Sequence, residues 1–160
     1  MKKQTGFTIV ELLIVIVVIG ILAAITIVAY NGIQQRAKNT TIQSDLGSFA
    51  KTLEMVRVDT VDGNYPAAIT SDMGVRATKS VYNLDRNNWY YCVSADRTEY
   101  ALGVVTEGSS SGAGYILSSS NGMQEMTGVD DAKTCSIVNR LNGSHMGYNG
   151  TTKVWSGWVR

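Results

Sequence analysis

The chain has 160 residues, enough for one domain of ordinary size, and 44% of them are apolar. Its formal charge is +1, and the fourteen basic side chains are spread thinly along it. Such a distribution argues against a dedicated nucleic-acid-binding protein, which needs a basic excess on one face, and leaves weak binding by a local patch open. The one histidine, His145, excludes a histidine-based metal cluster, and no nucleotide-binding or zinc-protease motif occurs. We expect no enzyme active site, no cofactor and no small-molecule substrate.

The N-terminus combines a basic leader with a long apolar stretch. Lys2 and Lys3 precede eighteen residues, 12–29, that carry no charge and one hydroxyl, that of Thr26. Eighteen helical residues span ~27 Å, close to the ~30 Å hydrocarbon thickness of a bilayer. The stretch is too long for an ordinary secretory signal and lacks a small-residue exit site. We predict a single membrane span, with the lysines in the cytoplasm and the bulk of the chain outside it.

Glu11 interrupts the apolar run between Val10 and Leu12. A carboxylate in a membrane helix costs ~2.5–3.5 kcal/mol at the bilayer centre and less towards the interface. From the residues alone two interpretations are open. Glu11 either marks the helix end and reaches for the headgroups, or has a role that offsets its cost.

The run from Gly6 to Val15, GFTIVELLIV, followed by the apolar helix, closely resembles the class III signal of type IV prepilins and type II secretion pseudopilins. This resemblance implies that prepilin peptidase cleaves after Gly6 and methylates the new amino group of Phe7. It also implies that Glu11 pairs with the Phe7 amino group of a neighbouring subunit during assembly. Such a pairing removes two costly charges from hydrocarbon at once.

One position departs from the family pattern. Many members carry proline eight residues after the helix glycine, where this chain has Val28 after Gly20. Proline breaks the helical hydrogen-bond ladder, so its absence leaves open whether the helix unwinds in a filament.

The helical pattern continues beyond the membrane span. Between residues 33 and 56, apolar side chains recur at spacings of three to five, which indicates an amphipathic helix. We predict one long helix from Phe7 to about Arg57, with two helices broken at Asn31-Gly32 as the alternative. Turn-forming residues over 59–66, similar to the D-x-G-x-Y-P stretch that follows the helix in many family members, end it.

The expected fold class is α+β and pilin-like, with the long helix packed on a small antiparallel sheet. After a leader over 1–6, residues 7–30 form the transmembrane and assembly part of the helix, residues 31–58 its amphipathic part and residues 59–160 a globular head. Runs rich in aromatic and β-branched residues predict three strands, while the chain after Asn121-Gly122 is loop-rich apart from a short helix and a last edge strand. The three strands are Trp89–Ser94, Glu99–Thr106 and Tyr115–Ser119, the short helix is Ala132–Leu141, and the edge strand is Lys153–Val159.

The chain has two cysteines, Cys92 and Cys135. Two thiols in a segment outside the cytoplasm tend to pair, so we predict a disulfide between them. Closing a loop of about 43 residues stabilises a fold by ~4 kcal/mol in the chain-entropy model.

The resemblance implies a structural subunit of an extracellular filament that serves adhesion, motility or DNA uptake. The implied partners are further copies of the chain in a helical filament, related pilins, prepilin peptidase, and an assembly platform in the membrane with its ATPase. The subunit would reside in the cytoplasmic membrane before assembly and at the cell surface afterwards. The alternatives are a pseudopilin or minor pilin of a secretion or competence system, and a membrane-anchored binding module that never polymerises. A simple anchor needs neither Glu11 nor a cut before Phe7, which favours the polymerising forms.

Overall fold

A single long helix, α1 (Ile9–Asp59), begins near the N-terminus. The computed structural model describes residues 6–109, 111–140 and 145–159, and the chain divides into two compact units, residues 1–39 and 40–160. Helix α1 contributes to both units, so the prediction of one long helix is confirmed and a break at Asn31-Gly32 is not found. The residue boundaries expected for leader, span and head stay predictions.

The first unit presents its apolar side chains without covering them. Every side chain described from Gly6 to Ala37 is exposed, and α1 is long and apolar enough to cross a membrane by length and composition. The Thr26 hydroxyl donates to the backbone oxygens of Leu22 (2.9 Å) and Ala23 (3.0 Å). Because lipid offers no hydrogen-bonding partners, this internal pairing suits a helix in hydrocarbon.

The second unit packs α1 through one apolar face. Ile42, Leu46, Phe49 and Leu53 recur every three or four residues and are all buried. These spacings place them on one side of the helix, where they form part of the core. Residues 33 and 37, which the predicted stripe includes, are exposed and belong to the first unit.

The second unit contains a five-stranded antiparallel sheet in the order β4-β3-β2-β1-β5. A separate hairpin pairs β6 with β7, and a short helix, α2, follows β4 in the chain. The bounds are β1 (Trp89–Val93), β2 (Tyr100–Val105), β3 (Gly114–Ser118), β4 (Gly122–Met126), α2 (Asp131–Ser136), β5 (His145–Met146), β6 (Tyr148–Asn149) and β7 (Val154–Trp155).

Strand β1 is buried on both faces. Successive side chains of a strand point to opposite faces, so Trp89 and Tyr91 join the core that includes α1, whereas Tyr90 and Cys92 join a second core with α2. Phe49 of α1 stacks on Trp89 with ring centroids 5.6 Å apart. Coverage on both faces explains why β1 is a continuous rather than an alternating apolar run.

Helix α2 is fastened to the sheet covalently. A disulfide joins Cys92 on β1 to Cys135 on α2, and both residues are buried. At the other end of α2, Asp130 Oδ1 accepts a hydrogen bond of 2.7 Å from the backbone N–H of Lys133, which caps the helix. The disulfide thus ties the C-terminal region to the first strand.

The C-terminal half of the chain differs from its prediction in three places. β4 occupies residues expected to be loop, and α2 ends at Ser136, while Leu141 lies outside the described residues. The last strand covers only Val154–Trp155: Lys153 before it has a left-handed backbone with φ of 58°, and the chain after it forms a turn in which the Val159 N–H donates to the Ser156 backbone oxygen at 3.0 Å.

Candidate functional site

The N-terminus of α1 is closed by a capping box made of Thr8 and Glu11. The Thr8 backbone N–H and hydroxyl both donate to Glu11 Oε2, at 2.8 and 2.7 Å. In return, the Glu11 backbone N–H donates to Thr8 Oγ1 at 3.2 Å. Thr8 is therefore the N-cap and Glu11 the third helical residue, the positions at which this reciprocal pair satisfies backbone donors that have no helical partner.

The capping box gives Glu11 a function within its own chain. The first N–H groups of a helix carry a partial positive charge, and a carboxylate beside them is stabilised. Unpaired N–H groups cost several kcal/mol in hydrocarbon, so this pairing offsets part of the cost of the charge. Both Thr8 donors use Oε2, and the cap does not require Oε1.

The capping box is a feature that the sequence analysis missed. Its signature is Ser or Thr followed three residues later by Glu or Gln, just before an apolar run. Thr8-Ile9-Val10-Glu11 fits that signature, so the spacing alone could have placed the helix start at Ile9 rather than Phe7.

The predicted processing and assembly residues lie together at this end of α1. Gly6 and Phe7 directly precede the N-cap, are not helical and are exposed. A surface groove of ≈ 280 Å³ is lined by Phe7, Glu11, Leu12 and Val15. Pairing of Glu11 with a neighbour's Phe7 amine involves a second copy of the chain and stays a prediction.

Two carboxylates on the second-unit part of α1 hold the following loop against the helix. Glu54 Oε1 accepts a 2.6 Å hydrogen bond from the Tyr65 hydroxyl. The pKa of Tyr65 is raised, chiefly by burial and to a smaller extent by this hydrogen bond. Asp45 Oδ2 accepts from the Tyr82 hydroxyl and the Thr78 backbone N–H, both at 2.7 Å. These contacts are structural: they fix residues 60–82 on α1.

His145 packs against neighbouring groups of the second unit. His145 Nε2 lies 3.0 Å from the backbone oxygen of Ala67, and its ring lies 6.1 Å from that of Tyr91. Within residues 6–109, 111–140 and 145–159, no group of three or more His, Cys, Asp or Glu side chains is arranged to hold a metal ion.

Comparison with known proteins finds a family motif at the N-terminus and relatives that match about half of the chain or more. Residues 1–27 match the prokaryotic N-terminal methylation motif. The chain is 31% identical over 102 residues to the type IV wide pilus major component of Thermus thermophilus, covering 64% of this chain and 73% of that protein. It is 32% identical over 80 residues to type II secretion system core protein G of Klebsiella pneumoniae, covering 50% and 54% of the two chains. A fimbrial protein of Eikenella corrodens is 39% identical over 75 residues, or 47% and 45% of the two chains. No solved structure gives a significant match.

The long helix, the antiparallel sheet and the methylation motif define a pilin-like protein. The chain belongs to the superfamily of type IV pilins and type II secretion pseudopilins. It spans about half the length of several curated relatives, including core protein G of Klebsiella pneumoniae (54%) and the Eikenella corrodens fimbrial protein (45%). The names of these relatives describe a pilus component, a secretion-system core protein and a fimbrial protein, and none of them names a catalytic activity.

Proposed function

We propose that this chain is the structural subunit of a type IV pilus-like extracellular filament. The observation that carries the proposal is the first unit, an exposed apolar helix whose N-terminus holds Glu11 beside Phe7. The N-terminal methylation motif covers the same residues. A helix of this composition needs either lipid or the core of an assembly around it. A filament subunit has lipid around the helix before assembly and the filament core around it afterwards.

In this proposal, prepilin peptidase removes residues 1–6 and methylates the amino group of Phe7. The trimmed subunit resides in the cytoplasmic membrane until assembly. An assembly platform with its ATPase then moves it into the growing filament at the cell surface. The partners of the filament form are further copies of the chain and related pilins. The match to a major component of a wide pilus supports this form.

The role of Glu11 in assembly follows from a comparison of the two surroundings of the helix, lipid and the filament core. An apolar helix gains little hydrophobic free energy when it moves from lipid into a filament core, because lipid tails are equally apolar. A different interaction must therefore select the docking position. The Glu11 carboxylate, paired with the Phe7 ammonium of a neighbour, supplies one that also neutralises both charges.

A pseudopilin of a secretion system is the second candidate. It is favoured by relatives such as core protein G of the type II secretion systems of Klebsiella pneumoniae and Vibrio cholerae, at 32% and 34% identity. The two candidates share processing and polymerisation and differ in abundance. A pilus subunit should be the main protein of filaments sheared from the cell surface, whereas a pseudopilin should be scarce there.

The test is electron microscopy of sheared filaments combined with intact mass measurement of their subunit. We expect filaments whose main protein has lost residues 1–6 and gained one methyl group. Gly6→Val, which enlarges only the residue before the cut, is the control and should leave the leader in place. A mature start after Ala23, Ala24 or Ala29 would indicate an ordinary secreted domain and contradict the proposal.

A further inference from the structure

The second unit exposes a group of apolar side chains at the end of α1. Met55 is 61% exposed, Val58 79%, and Val61, in the turn that follows, is fully exposed. Glu54, Asp59 and Asp62 lie along the same stretch of chain, and we call this surface, residues 54–62, the acidic patch. Two guanidinium groups accompany its three carboxylates. Arg57 Nη1 lies 3.4 Å from Glu54 Oε2, and Arg97 Nη2 lies 3.5 Å from Asp62 Oδ2.

A second exposed apolar surface has the opposite charge. Leu84 is 43% exposed and Val154, on β7, is 60% exposed. Lys153 Nζ donates to the backbone oxygen of Leu84 at 3.0 Å, and Lys79 Nζ lies 5.6 Å from the centre of the Trp155 ring. We call this surface, made of Lys79, 84–85 and 153–155, the basic patch. It carries Lys79 and Lys153 against the single carboxylate of Asp85, whereas the guanidinium of the neighbouring Arg86 lies towards Tyr90 on the α2 side of the sheet.

The two patches lie at opposite ends of strand β1. The acidic patch contacts the turn after β1 through the Asp62–Arg97 ion pair, and the nearby Tyr65 N–H donates to the Arg97 backbone oxygen at 2.9 Å. The basic patch adjoins the segment before β1, where Gly150 N–H donates to Asn87 Oδ1 at 2.8 Å. Five strand residues at about 3.4 Å each separate the two ends by roughly 17 Å.

We propose that the acidic patch of one subunit docks onto the basic patch of a second copy of this chain. The proposal rests on the proposed filament function and names the contact between second units within the filament. Each patch has apolar side chains with charged groups around them, the usual composition of a protein interface. Complementary charge selects this pairing, because two acidic or two basic patches would repel each other.

The placement of the patches determines the kind of assembly they produce. A contact between two different surfaces of identical chains is heterologous, and it repeats indefinitely unless its rotation closes a ring. Because the patches lie at opposite ends of β1, each subunit can engage one copy at each end. The contact is therefore able to propagate along a filament, as a self-complementary patch would not.

Cysteine cross-linking in assembled filaments tests the contact. Val61→Cys and Val154→Cys place one thiol in each patch, and both side chains are exposed enough for the fold to tolerate the change. The native cysteines are buried in their disulfide and do not compete. Filaments that contain both variants should give disulfide-linked dimers on oxidation, and a chain that carries both changes should give a ladder of multimers.

The matched control replaces Val61→Cys by Glu125→Cys, an exposed position on β4 outside both patches. The cross-linked fraction should be at least about tenfold lower in this control, since disulfides need the two Cα atoms within about 7 Å. Dimers from Val61→Cys alone would show a self-complementary contact and overturn the proposal. Intact filaments without Val61–Val154 cross-links would overturn it too, while leaving the filament function standing. A wild-type chain that forms no filament would contradict the function itself.

Charge reversal provides an independent readout. Asp59→Lys and Lys79→Glu should each lower the yield of sheared filaments, by about fivefold per subunit contact if one surface ion pair is lost. Lysine near a helix C-terminus is favourable, so Asp59→Lys should leave α1 intact. The double variant restores opposite charges across every contact and should recover the yield, whereas Glu125→Lys should have no effect. A double variant no better than the single ones would contradict the proposal.

Discussion

At the residue scale, Glu11 serves two positively polarised groups in the proposed filament. One is the N-terminus of its own helix, which it caps together with Thr8. The other is the Phe7 ammonium group of a neighbouring subunit. The first group needs only a hydrogen-bond acceptor, whereas the second needs a negative charge, so one substitution can separate the two roles.

We expect Glu11→Gln to keep the cap and lose assembly. Glutamine is accepted in a capping box, so helix formation, membrane insertion and processing should stay normal. The Phe7 ammonium would lose its partner, and an unpaired buried charge costs ~3–5 kcal/mol, a factor of roughly 10² to 10³ or more per docking step. Cells that make only this variant should hold cleaved subunits in the membrane and few filaments, counted by microscopy after shearing.

Two further variants complete the comparison. Glu11→Asp keeps the charge with a shorter reach and should fall between glutamine and wild type. Thr8→Val removes the hydroxyl from the cap but keeps the carboxylate, and its filament count should stay well above that of Glu11→Gln. Normal filament numbers from the Glu11→Gln strain would show that the carboxylate does not direct assembly.

At the element scale, the contact between α2 and the sheet depends on one missing side chain. A Cβ atom built on Gly103 of β2 would lie 2.1 Å from Thr134 Oγ1 and 3.1 Å from its Cβ. Thr134 on α2 is fully buried, and its hydroxyl donates to the Asp130 backbone oxygen at 2.6 Å. At that distance the helix or the strand would have to shift, and the glycine allows this close approach without a shift.

We expect Gly103→Ala to destabilise the protein by ~1–3 kcal/mol, the usual range for an overpacked core. Thr134→Ala, which removes the clashing atoms, should cost less in the Gly103→Ala background than in the wild type. Denaturant unfolding of the detergent-solubilised chain, followed by tryptophan fluorescence, measures both effects. Additive losses in the double variant would show that the two residues do not interact.

The strands that the sequence predicted correctly are those whose residue types match their environment. β1, WYYCV, consists of aromatic and β-branched residues plus a cysteine, and it lies inside the sheet between β2 and β5. β4, GMQEM, lies at the edge, is largely exposed and contains no β-branched or aromatic residue, so its own composition does not indicate a strand. β4 is a strand because it pairs with β3, and its own sequence does not indicate that pairing.

The short strands near the C-terminus could not be predicted from local pattern. β5 and β6 have two residues each, and β5 is defined by its pairing with Tyr90 and Tyr91 of β1. Such contacts depend on residues more than fifty positions away, which no periodicity reports. The site at the start of α1 is the opposite case, because all of its geometry is local and its signature could be recognised in the sequence.

At the scale of the whole molecule, the second unit is held by buried aromatic side chains on both faces of the sheet. Burial raises the pKa of Tyr90, with Arg86 opposing the shift, to about 12. Burial also raises the pKa of Tyr100 to about 12. The pKa values of Tyr82 and Tyr91 are raised as well, chiefly by burial. The folded protein therefore retains tyrosine protons that the unfolded chain releases near pH 10.

We expect stability to fall at high pH for this reason. A folded pKa above the unfolded value contributes stability that is fully present below about pH 10 and is lost as the pH rises towards about 12. Alkaline titration should show tyrosinate absorbance rising above pH 10 together with loss of the near-ultraviolet circular dichroism of the aromatic core. Ionisation of all eight tyrosines near pH 10 with the dichroism intact would contradict this expectation.

The capping box has a consequence for what leader removal does to the chain. Thr8 and Glu11 both lie on the mature side of a cut at Gly6–Phe7, so trimming leaves the start of α1 where it was. What the cut adds is an ammonium group two residues before the helix, at the end where the helix dipole is itself positive. The carboxylate of the same chain is already engaged by both Thr8 donors through Oε2, so the new ammonium group has to share Glu11 with the cap or find a carboxylate in a neighbour. In the proposed filament, processing thus turns a helix end that is closed by its own residues into one that has a further charge to pair.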